Sequence, residues 1–270
     1  MRELAPAKVN LCLYLGPLRA DGYHELLSIF QSVDLCDELE LSDHEREEVR
    51  CPGLEGPNLA ARAIALFREV TGWDGPPQLL AINKRIPIAG GLGGGSADAA
   101  ATLRLLARRS GLRADLHALA VRLGADVPSQ LEPGRYLVEG IGERLTRLPD
   151  PDPFGVLLLP SSARLSTAAV FAKADELALP RSDEEIKRIR ATLDLRDPKP
   201  DNDLAAAARL LEPMIDAAIA RLPGSTLTGS GPTVYKLFAT LDEAREEAAR
   251  LASAGVIAYA CAPVHNSSLK

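Results

Sequence analysis

Apolar and polar residues alternate along residues 4 to 15. Val9, Leu11, Leu13 and Leu15 fall on one face of the strand this predicts, and Lys8, Asn10, Cys12 and Tyr14 on the other. The run Ile29 to Leu41 predicts a second strand pair or hairpin, and the charged stretch Asp43 to Glu48 a solvated turn. Pro57-Asn58 predicts a helix to about Val70 with Asn58 as its N-cap. Leu79 to Ile86 reads as a strand, Ala114 to Leu123 as a short helix stopped by Gly124, and Tyr136 to Glu139 as a strand.

The segment Pro149-Asp150-Pro151-Asp152-Pro153 can join neither a helix nor a central strand. A domain boundary is expected there, dividing the chain into 1–148 and 149–270. Beyond it, Gly155 to Leu159 predicts an apolar strand, and Thr167 to Leu177 and Asp203 to Leu222 predict amphipathic helices. The charged residues 181 to 200 read as a surface helix and loop. A strand pair within Ser225 to Phe238, a helix from Leu241 to Ala252 and a strand from Val256 to Ala262 complete the pattern. Strands mixed with helices and local hairpins predict an α+β fold of two sandwiches.

Between the Leu79 strand and the next helix lies Pro87-Ile88-Ala89-Gly90-Gly91-Leu92-Gly93-Gly94-Gly95-Ser96-Ala97-Asp98. Glycine lets the backbone approach a ligand closely, and a helix that starts there aims unpaired N–H groups into the loop. An anion fits that place, and a chain of phosphates fits best. A Walker loop needs Lys-Ser or Lys-Thr after its last glycine, whereas Ser96-Ala97 follows Gly95. A dinucleotide fingerprint begun at Gly91 needs glycine at position 96, which is serine.

The formal charge of -6 offers no basic field for nucleic acid, and no apolar stretch approaches a membrane span. Cys12, Cys36, Cys51 and Cys261 lack metal or redox spacing and read as reduced, mostly buried thiols; His24, His44, His117 and His265 are scattered. A cytoplasmic protein, a monomer or weak homodimer, is expected.

The strand pattern leaves open whether Lys8 and Asn10 face water or a pocket. Asp21-Gly22-Tyr23-His24 places an aromatic ring and an imidazole together, which suits a planar ring but also an ordinary turn. In Leu123-Gly124-Ala125-Asp126-Val127-Pro128, Pro128 predicts an extended Val127. A carboxylate past a helix C-terminus calls for a compensating cation, and Lys8 is a candidate. Thr228-Gly229-Ser230-Gly231 reads as a hairpin turn or a second ligand loop, and Phe171 as core or lid.

Taken together, Pro6-Ala7-Lys8-Val9-Asn10-Leu11, Arg19-Ala20-Asp21-Gly22-Tyr23-His24, Pro87 through Asp98, Leu123 through Pro128 and Leu227 through Gly231 resemble, in order, motifs of the GHMP kinase superfamily. Within it, the Pro-Ala-Lys start joined to Asp-Gly-Tyr-His is similar to the branch acting on a cytidine diphosphate-linked methylerythritol in isoprenoid precursor synthesis. The resemblance implies an N-terminal domain like the second domain of ribosomal protein S5 and a ferredoxin-like C-terminal domain. It implies transfer of the γ-phosphoryl of ATP to a 2-hydroxyl, with Asp126 as base and Lys8 as charge stabiliser. ATP would lie on Ile88, Ala89, Gly90, Gly91, Leu92, Gly93, Gly94, Gly95, Ser96, Ala97 and Asp98, with Asn58 and Lys84 near the adenine. Asn10, Tyr23, His24, Thr167 and Phe171 would hold the substrate, and the Ser96 hydroxyl would meet Mg²⁺ or phosphate. Pro232 departs from the small residue frequent after the third motif. The alternatives are another small-molecule kinase of the superfamily, which has no need of Tyr23, and a non-catalytic nucleotide binder, which has no need of Asp126.

Overall fold

Two β-sheets organise the chain in a computed structural model that describes residues 1–54, 56–161, 163 and 165–264. His265 lies outside the described residues. Among the described residues the first sheet has seven strands: β1 Arg2–Leu18, β2 His24–Asp43, β3 Glu48–Arg50, β4 Gln78–Asn83, β5 Arg135–Gly140, β6 Arg144–Arg147 and β8 Asp201–Asn202. The second has four, in the order β11 Tyr259–Cys261, β7 Gly155–Leu159, β10 Val234–Phe238 and β9 Thr226–Leu227. Helices α1 Leu59–Thr71, α2 Gly94–Ser110 and α3 Leu116–Leu123 share a core with the β1 entry, the end of β2 and β4. Helices α4 Thr167–Glu176, α6 Ala205–Leu211, α7 Met214–Arg221 and α8 Leu241–Ser253 pack with the second sheet, and α5 Asp183–Thr192 lies against the core between the sheets.

Several expectations are corrected. The expected hairpin within 29–41 is one twenty-residue strand, β2. Its interior polar residues look like a turn in sequence, but they are satisfied by distant partners: Gln31 Oε1 accepts from Arg135 Nε at 2.8 Å, and Ser32 Oγ from Gly134 N at 3.1 Å. The simple alternation of β1 also fails. A register shift between Asn10 and Cys12 puts Leu11 and Cys12 in one core, while Leu13 and Leu15 join another. The Asp43 to Glu48 turn is shorter than expected, since Asp43 ends β2 and Glu48 begins β3.

Strand β4 stops at Asn83 rather than Ile86, because Arg85 N and Ile86 N leave the ladder and donate to Asp37 Oδ1 at 2.6 and 2.8 Å. The expected helix 203–222 is two, broken before Met214 by Pro213, which lacks an N–H to continue the first. The last strand begins at Tyr259, not Val256. Val127 is helical (φ −65°, ψ −40°), not extended. Its N–H donates to Gly124 O at 3.2 Å, its carbonyl accepts from Gln130 N at 3.1 Å, and its side chain is buried. Pro128 then opens a short 3-10 helix, Pro128–Gln130, where a missing N–H costs nothing.

Strand β2 forks. Glu38 to Asp43 pair with β4, and Leu26 to Gln31 pair with β5. Asp37 sits at the fork, fully buried, where the chain leaves β4 for the glycine loop.

Candidate active site

The glycine loop runs from the end of β4 over β1. Lys8 N donates to Leu92 O at 2.9 Å, so loop and strand are joined beside the Lys8 side chain. Helix α2 begins at Gly94, which places Gly94, Gly95 and Ser96 in its first turn with N–H groups free of helical partners. Ala89, Gly91 and Gly93 take positive φ (59°, 74° and 70°). At Gly91 the need for glycine is also steric: an added Cβ would lie 2.6 Å from Gly231 O.

A cavity of about 420 Å³ opens over this loop. It gathers Asn58, Lys84, Asp98 and the run Pro87 to Ser96, which takes in the residues the resemblance assigned to the nucleotide except Ala97; Ala97 is buried in the core beneath α2 instead. Asn58 also caps α1, its side chain accepting from Ala60 N at 2.8 Å. Lys84 Nζ lies 2.5 Å from Asp37 Oδ2 and 2.8 Å from Asp98 Oδ2. Burial works against the Lys84 charge, and the two carboxylates outweigh it and hold its pKa above the ordinary value. Burial likewise pushes the Asp98 carboxyl up to about 7, with Lys84 opposing it.

Lys8 is buried, and its ammonium meets Asn10 Oδ1 at 2.8 Å, Asp126 Oδ2 at 3.3 Å and the face of Phe30 at 4.4 Å from the ring centre. A lysine on β1 and a carboxylate from the turn after α3, more than a hundred residues along the chain, therefore form one couple. Asp126 is held by the Gly124 to Gln130 turn and keeps about a third of its side chain (34%) in solvent. The couple abuts the loop: a Cβ on Gly93 would lie 3.0 Å from Lys8 Cγ. The Thr228–Gly231 turn closes over the same point. Asn10 N donates to Thr228 Oγ1 at 2.9 Å, and a Cβ on Gly229 would lie 3.3 Å from Asn10 Oδ1. The Gly231–Pro232 peptide is cis.

The remaining assigned residues form a second group. His24 is buried, with Nδ1 3.0 Å from Gly16 O and Nε2 3.1 Å from Asp175 Oδ1 on α4. Phe171, also on α4, lies 5.9 Å from the His24 ring. Thr167 Oγ1 is 3.0 Å from Ser230 Oγ, which ties α4 to the third glycine turn. Tyr23 is 61% exposed and meets none of them through its ring. Asn10 is the one assigned acceptor residue that touches the lysine couple.

Comparison with known proteins settles the family. Residues 58–133 match the GHMP kinases N terminal domain. A 4-diphosphocytidyl-2-C-methyl-D-erythritol kinase of Anaeromyxobacter dehalogenans is 42% identical over 256 residues, covering 87% of this chain and 80% of that protein. One from Mycolicibacterium smegmatis is 37% identical over 292 residues, covering 97% and 90%. The chain belongs to this family of GHMP kinases. A crystal structure of a 4-(cytidine 5'-diphospho)-2C-methyl-D-erythritol kinase superposes with a TM-score of 0.82 at 33% identity, over 98% of this chain and all (100%) of that one. A Methanococcus jannaschii mevalonate kinase, at 15% identity and TM-score 0.67, shares the fold. GHMP kinases use ATP.

Sequence reasoning missed several residues that hold this candidate site together. Asp37 anchors the loop entry and carried no motif. Asn202 fixes the third glycine turn, its amide donating to Leu227 O and Gly229 O at 2.8 Å each. The Asp201-Asn202-Asp203 run was its visible trace. Asp175 partners His24 and sits four residues after Phe171, one helical turn along α4. The thiols of Cys12, Cys36 and Cys261 are pushed up to about 12 by burial, so they carry no nucleophile; Cys36 and Cys51 are only half-buried, against expectation.

Proposed function

We propose that this chain transfers the γ-phosphoryl of ATP to the 2-hydroxyl of 4-diphosphocytidyl-2-C-methyl-D-erythritol, giving the 2-phosphate and ADP for isopentenyl diphosphate synthesis. The observation that carries the reading is the 3.3 Å couple of Lys8 and Asp126 beside the glycine loop. Asp126 accepts the hydroxyl proton, and Lys8 offsets charge on the transferring group while Asn10 holds the ammonium in place. Phosphoryl transfer asks mainly for positioning and charge stabilisation, which a buried lysine and a helix start supply. Ile88 to Asp98 hold the triphosphate, with Asn58 and Lys84 toward the base. Asn10, Tyr23, His24, Thr167 and Phe171 hold the cytidine diphosphate end, and the cleft between units 1–148 and 149–270 receives the acceptor.

Mg²⁺ fits here as a partner of phosphate rather than of a protein cage. Among the described residues no three His, Cys, Asp or Glu side chains converge on a metal site, and Ser96 is among the residues lining the cavity. Bound there, the ion would neutralise phosphate charge. Among the described residues no helix is long and apolar enough to cross a membrane.

A coupled ADP-release assay tests the reading. ADP release should depend on the diphosphocytidyl alcohol. Equal release with homoserine or mevalonate would assign the chain to another acceptor, and ATP binding without release would make it a binder.

A further inference from the structure

Gln130 ends the short 3-10 helix that follows Asp126, and it is 1% exposed. Its backbone is fixed: the N–H donates to Val127 O at 3.1 Å, and the carbonyl accepts from Arg104 at 2.6 Å. Its side chain is not, for neither Oε1 nor Nε2 has a hydrogen-bond partner. A buried carboxamide left unpaired is costly, and an apolar side chain of the same length fills such a position without that cost. The carboxamide lies at the reaction couple. A Cβ on Gly93 would stand 3.4 Å from Gln130 Nε2 and 3.2 Å from Lys8 Cε, so amide and lysine stem meet over one glycine.

Lys8 has three N–H donors, of which Asn10 takes one at 2.8 Å and Asp126 another at 3.3 Å. If Asp126 receives the acceptor's proton, its carboxylate must turn toward that hydroxyl and loosen its hold on the ammonium. We propose that Gln130 is a positioning residue for this step: its carboxamide oxygen accepts from Lys8 Nζ while Asp126 engages the acceptor, and keeps the ammonium against the glycine loop. The amide's oxygen and nitrogen are nearly identical in shape and are assigned from the hydrogen-bond network, so the oxygen can be the end that faces the ammonium. The inference rests on the roles given above to Lys8 and Asp126.

Three proteins test it in the ADP-release assay: wild type, Gln130→Met and Gln130→Glu. Met keeps the length and loses the acceptor, and Glu keeps the acceptor oxygen. In Gln130→Met, kcat should fall about tenfold, the worth of one hydrogen bond to a charged group, with KM for ATP and for the alcohol unchanged. Gln130→Glu should restore most of that loss. ADP should raise the melting temperature equally in all three. Wild-type turnover with an undiminished Gln130→Met overturns the role of Gln130 alone, and so does an equal loss in both variants. A wild type without turnover overturns the parent reading as well. If Gln130→Met does not fold, Gln130→Leu carries the same comparison.

Discussion

Around the glycine loop the polar side chains are already enclosed: Lys8 is 4% exposed, Asn10 3% and Asp98 3%, each with a named partner. In the second group, Tyr23 is 61% exposed, and Thr167 and Asp175 face solvent. The first group comes largely from the first sheet and α2, bound by backbone hydrogen bonds such as Lys8 N to Leu92 O. The second is divided between the β1–β2 turn and α4, which meet through His24, Asp175 and Phe171. On the proposed reading, the charges that act at the transferred group are held by the fold itself, which is where preorganisation is worth most. In the second group the ring of Tyr23 and the side chain of Thr167 stay open to solvent, so on the proposed reading a base stacking there must offset the entropic cost of fixing them.

The largest test of this contrast is Asp126→Ala. Removing a general base costs typically about 10²–10⁴-fold, so turnover should fall at least a hundredfold. ATP affinity, measured by titration, should stay nearly intact, because Asp126 does not line the nucleotide cavity. A variant with near-normal turnover removes Asp126 from the role.

Tyr23→Ala addresses the other side. A base stacked on an aromatic ring gains about 1–3 kcal/mol, so KM for the alcohol should rise roughly tenfold. With so exposed a ring, kcat and the melting temperature should hardly move. A drop in kcat or stability instead would show that the acceptor side is as preorganised as the phosphate side.

This division also governs what the sequence made legible. The glycine loop announces itself because positive φ and close approach admit few residues, as Gly91 against Gly231 shows. Lys8 and Asn10 stand out because two polar residues recur at strand spacing in an apolar run. That Asp126 reaches Lys8 depends on strand register and on the helical Val127, a conformation the following proline disfavours locally and core burial imposes. Asp37 is invisible because its function is to satisfy two backbone N–H groups at a fork in β2, and a fork leaves no periodic signature. Gln130 gave no sign, since a carboxamide in a polar turn is unremarkable until the turn is buried.

A further test, read in stability rather than turnover, concerns what enclosure costs on the glycine-loop side. Burial holds the Asp98 carboxyl up at about 7 against an ordinary 3.8, with Lys84 pulling it down and the neighbouring Asp37 adding to the rise. A carboxyl whose pKa rises on folding binds its proton more tightly in the native state. Stability therefore falls as pH climbs from the ordinary carboxylate range to about 7, and levels off above. Asp98→Asn cannot titrate, so the melting temperature of the variant should lose that part of the decline between pH 4 and about 7. Lys84 keeps Asp37 as its partner in the variant, which limits any collapse of the site. Parallel melting curves for variant and wild type would mean that Lys84 keeps Asp98 ionised throughout, and that enclosing these charges costs the fold less than their burial implies.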